Sequence, residues 1–194
     1  MEDTASLCTD DRDPRPWLCN DRARIDLLTV VPLARALVGD VPLVRVSHRP
    51  GIDLDGRATS WFLTFAVGES LTQVVLSADG DVGMLTPPGE LGCEPAGLQV
   101  VDSVAAVRSA IRRYEASEGP LLVGPDTSLV LLQNDGCYLW SEPSVGSARR
   151  VRIAQPRGSW FAELDAAGNV RAWLGPCPRG ARVDDCREAA AATP

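Results

Sequence analysis

Hairpin punctuation constrains this chain more than any other feature. Asp55-Gly56, Asp79-Gly80, Asn134-Asp135-Gly136 and Ala167-Gly168-Asn169 each stand between short apolar or alternating runs. Such sequences tolerate the positive φ of a tight reversal, so each predicts an antiparallel neighbour rather than a crossover. The runs between them read as nine strands: Val41–Ser47, Ala58–Val67, Leu71–Ser77, Val82–Leu85, Leu129–Gln133, Cys137–Ser141, Arg149–Ala154, Ser159–Asp165 and Val170–Leu174. Two stretches have a helical period instead. Thr29–Val38 places Pro32 in its first turn, Leu33 and Leu37 on one face, and Gly39 as a stop. Ser103–Ala116 takes Asp102 or Ser103 as N-cap and aligns Val104, Val107, Ile111 and Tyr114 in one stripe. The expected class is α+β on antiparallel sheet.

Composition removes several kinds of chemistry. The 19 basic residues are all arginine, and His48 is the single histidine. Without lysine there is no Schiff-base, P-loop or general-base lysine, and a lone histidine supports no His-rich metal site or two-histidine relay. A net charge of -7 argues against nucleic acid, whose binding needs a surplus of cations. No apolar run approaches membrane-spanning length.

Six cysteines lie at gaps of 11, 74, 44, 40 and 9 positions, with no C-x-x-C. That spacing fits no zinc or thioredoxin-like motif and reads as disulfides in an oxidising compartment, against free thiols in a reducing one. About fifteen pairings exist for six cysteines. Cys8–Cys19 and Cys177–Cys186 close short terminal loops, which leaves Cys93–Cys137 for the middle. Met1 is followed by Glu2, Asp3 and Thr4 and not by a basic then apolar leader, so an extracellular or periplasmic location requires a signal already removed.

The expected organisation is a polar stapled segment (1–28), a first helix-plus-sheet unit (29–92), a second (93–174) and a stapled tail (175–194). The two units are suggested by an internal likeness, Ser60-Trp61-Phe62-Leu63-Thr64-Phe65 and Ser159-Trp160-Phe161-Ala162-Glu163-Leu164, each preceded by a helix and followed by a turn. The helix from Asp102 to Ala110 and the segment Ser159–Val170, with its strand, Asp-x-x-Gly turn and strand, resemble the PepSY family. The first half shares only Trp61 and Asp79-Gly80 with that pattern. The resemblance implies two tandem cystatin-related helix-on-sheet modules, exported and non-catalytic, binding a peptide or restraining a peptidase. The cysteines and stapled termini depart from it.

No constellation argues for catalysis. His48 precedes a turn, Ser47-His48-Arg49-Pro50-Gly51, with no nucleophile elbow anywhere in the chain. Asp53-Leu54-Asp55-Gly56 and Asp79-Gly80-Asp81 look like pieces of calcium loops but lack the closing glutamate. The expectation is therefore a non-enzyme without metal or cofactor, with a protein or peptide partner. Trp61, Trp140 and Trp160 are candidate contacts if they do not pack in the core, and Arg149, Arg150 and Arg152 form a candidate docking patch for an acidic partner. Two other readings stay open: a structural component of a cell-surface or envelope assembly, and a small carboxylate-type hydrolase.

Overall fold

Three of the turns close in one way in the computed structural model, which describes residues 23–124, 126–139, 148–181 and 183–191. In Asp53–Arg57, Ser77–Asp81 and Asp165–Asn169 the first side chain accepts from the amide four residues on, at 2.7, 3.2 and 2.9 Å. The glycine N–H of each donates to the first residue's carbonyl, with φ of 76°, 91° and 85°. This is a tight turn ending in a left-handed glycine, whose added residue gives the hairpin its twist. Asp53 and Asp165 thus each spend an oxygen on turn amides, and the other oxygen of Asp53 pairs with Arg24 at 3.4 Å.

In chain order the elements are β1 (Ile25–Asp26), α1 (Leu27–Val38), β2 (Leu43–Ile52), β3 (Arg57–Val67), β4 (Ser70–Ser77), β5 (Val82–Leu85), β6 (Glu90–Leu91), α2 (Ser103–Glu118), β7 (Ser128–Asn134), β8 (Tyr138–Leu139), β9 (Ala148–Gln155), β10 (Gly158–Leu164), β11 (Val170–Cys177) and α3 (Val183–Ala191). Nine strands form one antiparallel sheet in the order β11-β10-β9-β7-β2-β3-β4-β5, with β1 paired to β3; β6 and β8 form a separate ribbon.

The expected pair of tandem helix-on-sheet units is corrected by this sheet. β2 and β7 pair with each other, Arg45 opposite Asn134 and Val46 opposite Gln133, so the strands run without interruption from β11 to β5. Two apolar strands that would otherwise be edges satisfy each other. The two Ser-Trp-Phe triplets also occupy different places: Trp61 lies on β3, one strand from that seam, and Trp160 on β10, two strands from it on the other side. One core cluster joins Leu27, Val30 and Ala34 of α1 with Ala106, Val107, Ala110 and Tyr114 of α2, and includes Trp61, Phe65, Leu131, Ile153 and Trp160.

Local chemistry sets both helices. Asp26 caps α1 by accepting from the Thr29 N–H at 2.9 Å, two residues earlier than the sequence suggests. Pro32 consequently falls in the second turn, where it removes the bond to the Leu28 carbonyl. Of the two expected caps for α2 it is Asp102 that serves, accepting from the Val104 N–H. The buried Ser103 hydroxyl accepts from the Leu27 N–H at 3.1 Å, tying the start of α2 to the start of α1. Gln133, buried at the seam, brackets Val101: its amide oxygen accepts from the Val101 N–H at 2.8 Å and its NH2 donates to the Val101 carbonyl at 2.9 Å. Gly56 is required because a Cβ there would lie 2.4 Å from the Ser103 carbonyl oxygen.

The other face of the sheet is covered at both ends. Tyr138 of β8 packs on Val44, Ala66 and Leu71, and the Cys93–Cys137 disulfide holds that ribbon. At the far end α3 packs Val183 and Cys186 against Phe161 and Cys177, with Cys177–Cys186 bonded. The tail read as a stapled loop is therefore helical from Val183, and its staple is present. Replacing Cys177 and Cys186 by serine is expected to lower stability by roughly 2–3 kcal/mol, measured by denaturant unfolding, with Phe161 newly exposed.

Candidate interaction surface

The predicted contact residues separate sharply. Trp61 is fully buried and donates from its indole N–H to the Ile25 carbonyl at 2.8 Å. Trp160 is buried under α2, edge-on to Tyr114 at 5.0 Å. Both belong to the core, which removes them as contacts. Period-2 burial on a covered face is the reason. Trp140 and the pair Cys8 and Cys19 lie outside the described residues.

The arginine run splits along the strand. Arg149 donates to the Gln99 carbonyl at 3.1 Å, and Arg150 pairs with Glu163 at 3.6 Å. Arg152 hydrogen-bonds Ser159 and stands over the Phe161 ring at 6.0 Å. Glu163 is shared with Arg187 of α3, so Arg150 and Arg187 close around one carboxylate. Burial holds the Arg150 pKa below its ordinary value, and the Glu163 charge offsets only part of that. This cluster fastens α3 to the sheet. A small cleft of about 100 Å³ beside it is lined by Arg149, Arg171, Arg187 and Glu163. An open cleft of about 400 Å³ lies between α2 and the β2–β3 turn, its apolar floor of Leu54, Ile111 and Leu121 flanked by Arg108, Arg112 and Glu115. Neither cleft joins two carboxylates, so neither supports the hydrolase reading. Among the described residues no group of three metal-ligating side chains converges.

His48 is also structural. It faces the core edge-on to Trp61 at 5.4 Å, and its Nε2 accepts from the Leu131 N–H at 2.9 Å, just past the end of β2–β7 pairing. Burial pushes its pKa down to about 4, so the ring is neutral at neutral pH and acts as a fixed acceptor.

What remains open is β5. Its outer side pairs with no strand among the described residues. Its inner side pairs with β4, Leu76 to Val82 through Gln73 to Leu85. The ladder starts at the Ser77–Asp81 closure, so the alternation turns Gly83 and Leu85 inward and leaves the backbone groups of Val82 and Met84 pointing out. Val82 and Met84 are each 55% exposed and Leu85 is 45% exposed. Leu33 and Leu37 of α1, the helix laid over β3 and β4, are exposed as well.

The chain after β5 returns against β4, and none of its described residues forms a strand on the outer side of β5. Pro87 and Pro88 end the strand, the Tyr138 hydroxyl donates to the Pro88 carbonyl at 2.6 Å, and Cys93–Cys137 anchors the ribbon beyond. Arg45 stacks over the Tyr138 ring at 5.4 Å on the same side. The opposite edge is protected differently, because β11 contains Pro176 and carries α3. Sequence reading identified the β5 strand but not its position at an edge. An apolar four-residue run has the same appearance in the middle of a sheet.

Compared with known proteins, the chain matches no family model, no curated protein and no solved structure. The PepSY resemblance is neither strengthened nor removed by that result.

Proposed function

We propose that this chain is a non-enzymatic, disulfide-stabilised binding module of an extracellular or periplasmic setting, which takes an extended protein or peptide segment as an added strand on β5. The observation that carries this reading is the edge itself. A short apolar strand without Lys, Arg or Pro offers main-chain groups that no described strand pairs, beside exposed Val82, Met84 and Leu85. Natural edges are blunted by charge, proline, bulges or shortness; β5 has only the last of these, at four residues. Strand addition supplies main-chain hydrogen bonds while side-chain pockets set preference. The two disulfides among the described residues favour an oxidising compartment. No helix among those residues is long and apolar enough to cross a membrane.

Panning a displayed library of short random peptides on the purified protein tests the reading. Recovered peptides are expected to lose at least about tenfold in affinity on Met84→Pro, which removes an outward N–H without breaking a β4 bond. Val82→Lys keeps the backbone and adds an edge charge, and it is expected to act in the same direction. Peptides indifferent to both substitutions would overturn the β5 site.

A further inference from the structure

We infer that the strand accepted by β5 is basic, an extended segment with arginine or lysine flanking a short apolar centre; this rests on the edge reading above. Between Arg57 and Arg108 the chain carries no Lys, Arg or His, but it carries Glu69, Asp79, Asp81, Glu90, Glu94 and Asp102. Strands β4, β5 and β6 lie wholly within that stretch, as does β3 beyond Arg57.

The acids flank β5 in the sequence. Asp79 and Asp81 are exposed in the turn that opens β5, and Glu90 is exposed just beyond its end. Glu69 is exposed in the β3–β4 turn, at the end of β4 that Leu85 approaches. Arg35 is the cation that α1 brings, and Asp40 pairs with it at 3.5 Å. An added strand would therefore meet apolar side chains at its middle and carboxylates at its Asp79–Asp81 end, within a stretch whose only charges are acidic, which is complementary to a basic segment.

The rest of the molecule reinforces the choice. Residues 148–187 hold eight arginines against Glu163, Asp165, Asp184 and Asp185. A basic segment is drawn to the β5 end and repelled by the β9–β11 end, so charge selects the edge before contact. A second copy pairing β5 to β5 would instead bring these acids together, which disfavours self-association there.

Three synthetic peptides with one apolar strand-forming centre, flanked on both sides by arginine, serine or glutamate pairs, test the inference by fluorescence anisotropy. The arginine-flanked peptide is expected to bind about tenfold tighter than the serine-flanked one, with the advantage shrinking at high salt. Asp79→Asn with Asp81→Asn is expected to remove that advantage and leave the serine-flanked peptide unchanged. Equal affinity of all three peptides would overturn the basic preference while leaving the edge reading in place. If none of the three peptides binds, the edge reading falls with it.

Discussion

Trp61→Ala is expected to destabilise the protein by about 3–5 kcal/mol, because it empties a large, fully buried site. The loss comprises packing against the core and the indole bond to the Ile25 carbonyl, which anchors β1. Trp160→Ala should cost a similar amount, through the packing of Tyr114 and α2 on β10. The decisive feature is the form of the unfolding curve. One sheet and one core predict a single cooperative transition for the wild type and both variants, lowered by roughly 10 °C in each. Differential scanning calorimetry checks this directly. Two resolved transitions, one responding only to Trp61 and the other only to Trp160, would mean that the halves are independent.

Acid should weaken the seam at the centre of the sheet. His48 holds the Leu131 N–H as a neutral acceptor, and its folded pKa of about 4 lies below the 6.5 of an ordinary histidine. Between those values the unfolded chain binds a proton that the folded chain refuses. The stabilisation is thus complete above pH 6.5 and disappears as pH falls toward 4. The amount is about 3 kcal/mol at full loss. His48→Gln keeps a neutral acceptor at every pH, so the difference between wild type and variant should change with pH only in that window. Carboxylate titration affects both proteins equally and cancels. Denaturant unfolding across the window, with the single histidine followed by NMR, measures slope and pKa together. A parallel pH dependence in the two proteins would contradict this role.

The expectations that held are local ones. The Asp-x-x-Gly turns at Asp53 and Asp165, and the equivalent Ser77 turn, are encoded within five residues by a side-chain oxygen and a glycine. The Cys177–Cys186 pair is legible from its short loop, Cys93–Cys137 only as the pair left over, and Asp102 as one of two adjacent cap candidates. The β2–β7 seam was not. It joins Val46 to Gln133, far apart in the chain, and local periodicity carries no information about distant partners. A register shift between Leu43 and Arg45 further breaks the alternation of β2. The repeated Ser-Trp-Phe triplet reflected two buried aromatic strands and not two equivalent positions. Helix α3 did leave a signal, with Asp184 and Asp185 in a first turn ahead of an alanine run, but Pro176 and Pro178 dominated the reading. For the candidate site the apolar strand is visible in the sequence; that no described strand flanks its outer side is a property of the whole sheet.

The most direct test of the binding account is amide hydrogen exchange at β5, measured residue by residue with and without the arginine-flanked peptide. In the free protein the Val82 and Met84 amides should exchange rapidly, and Gly83 and Leu85, bonded to β4, slowly. On binding, Val82 and Met84 should become protected and the β9 amides around Arg150 and Arg152 should not change. Slow exchange at Val82 and Met84 in the free protein, or new protection confined to β9, would contradict the account.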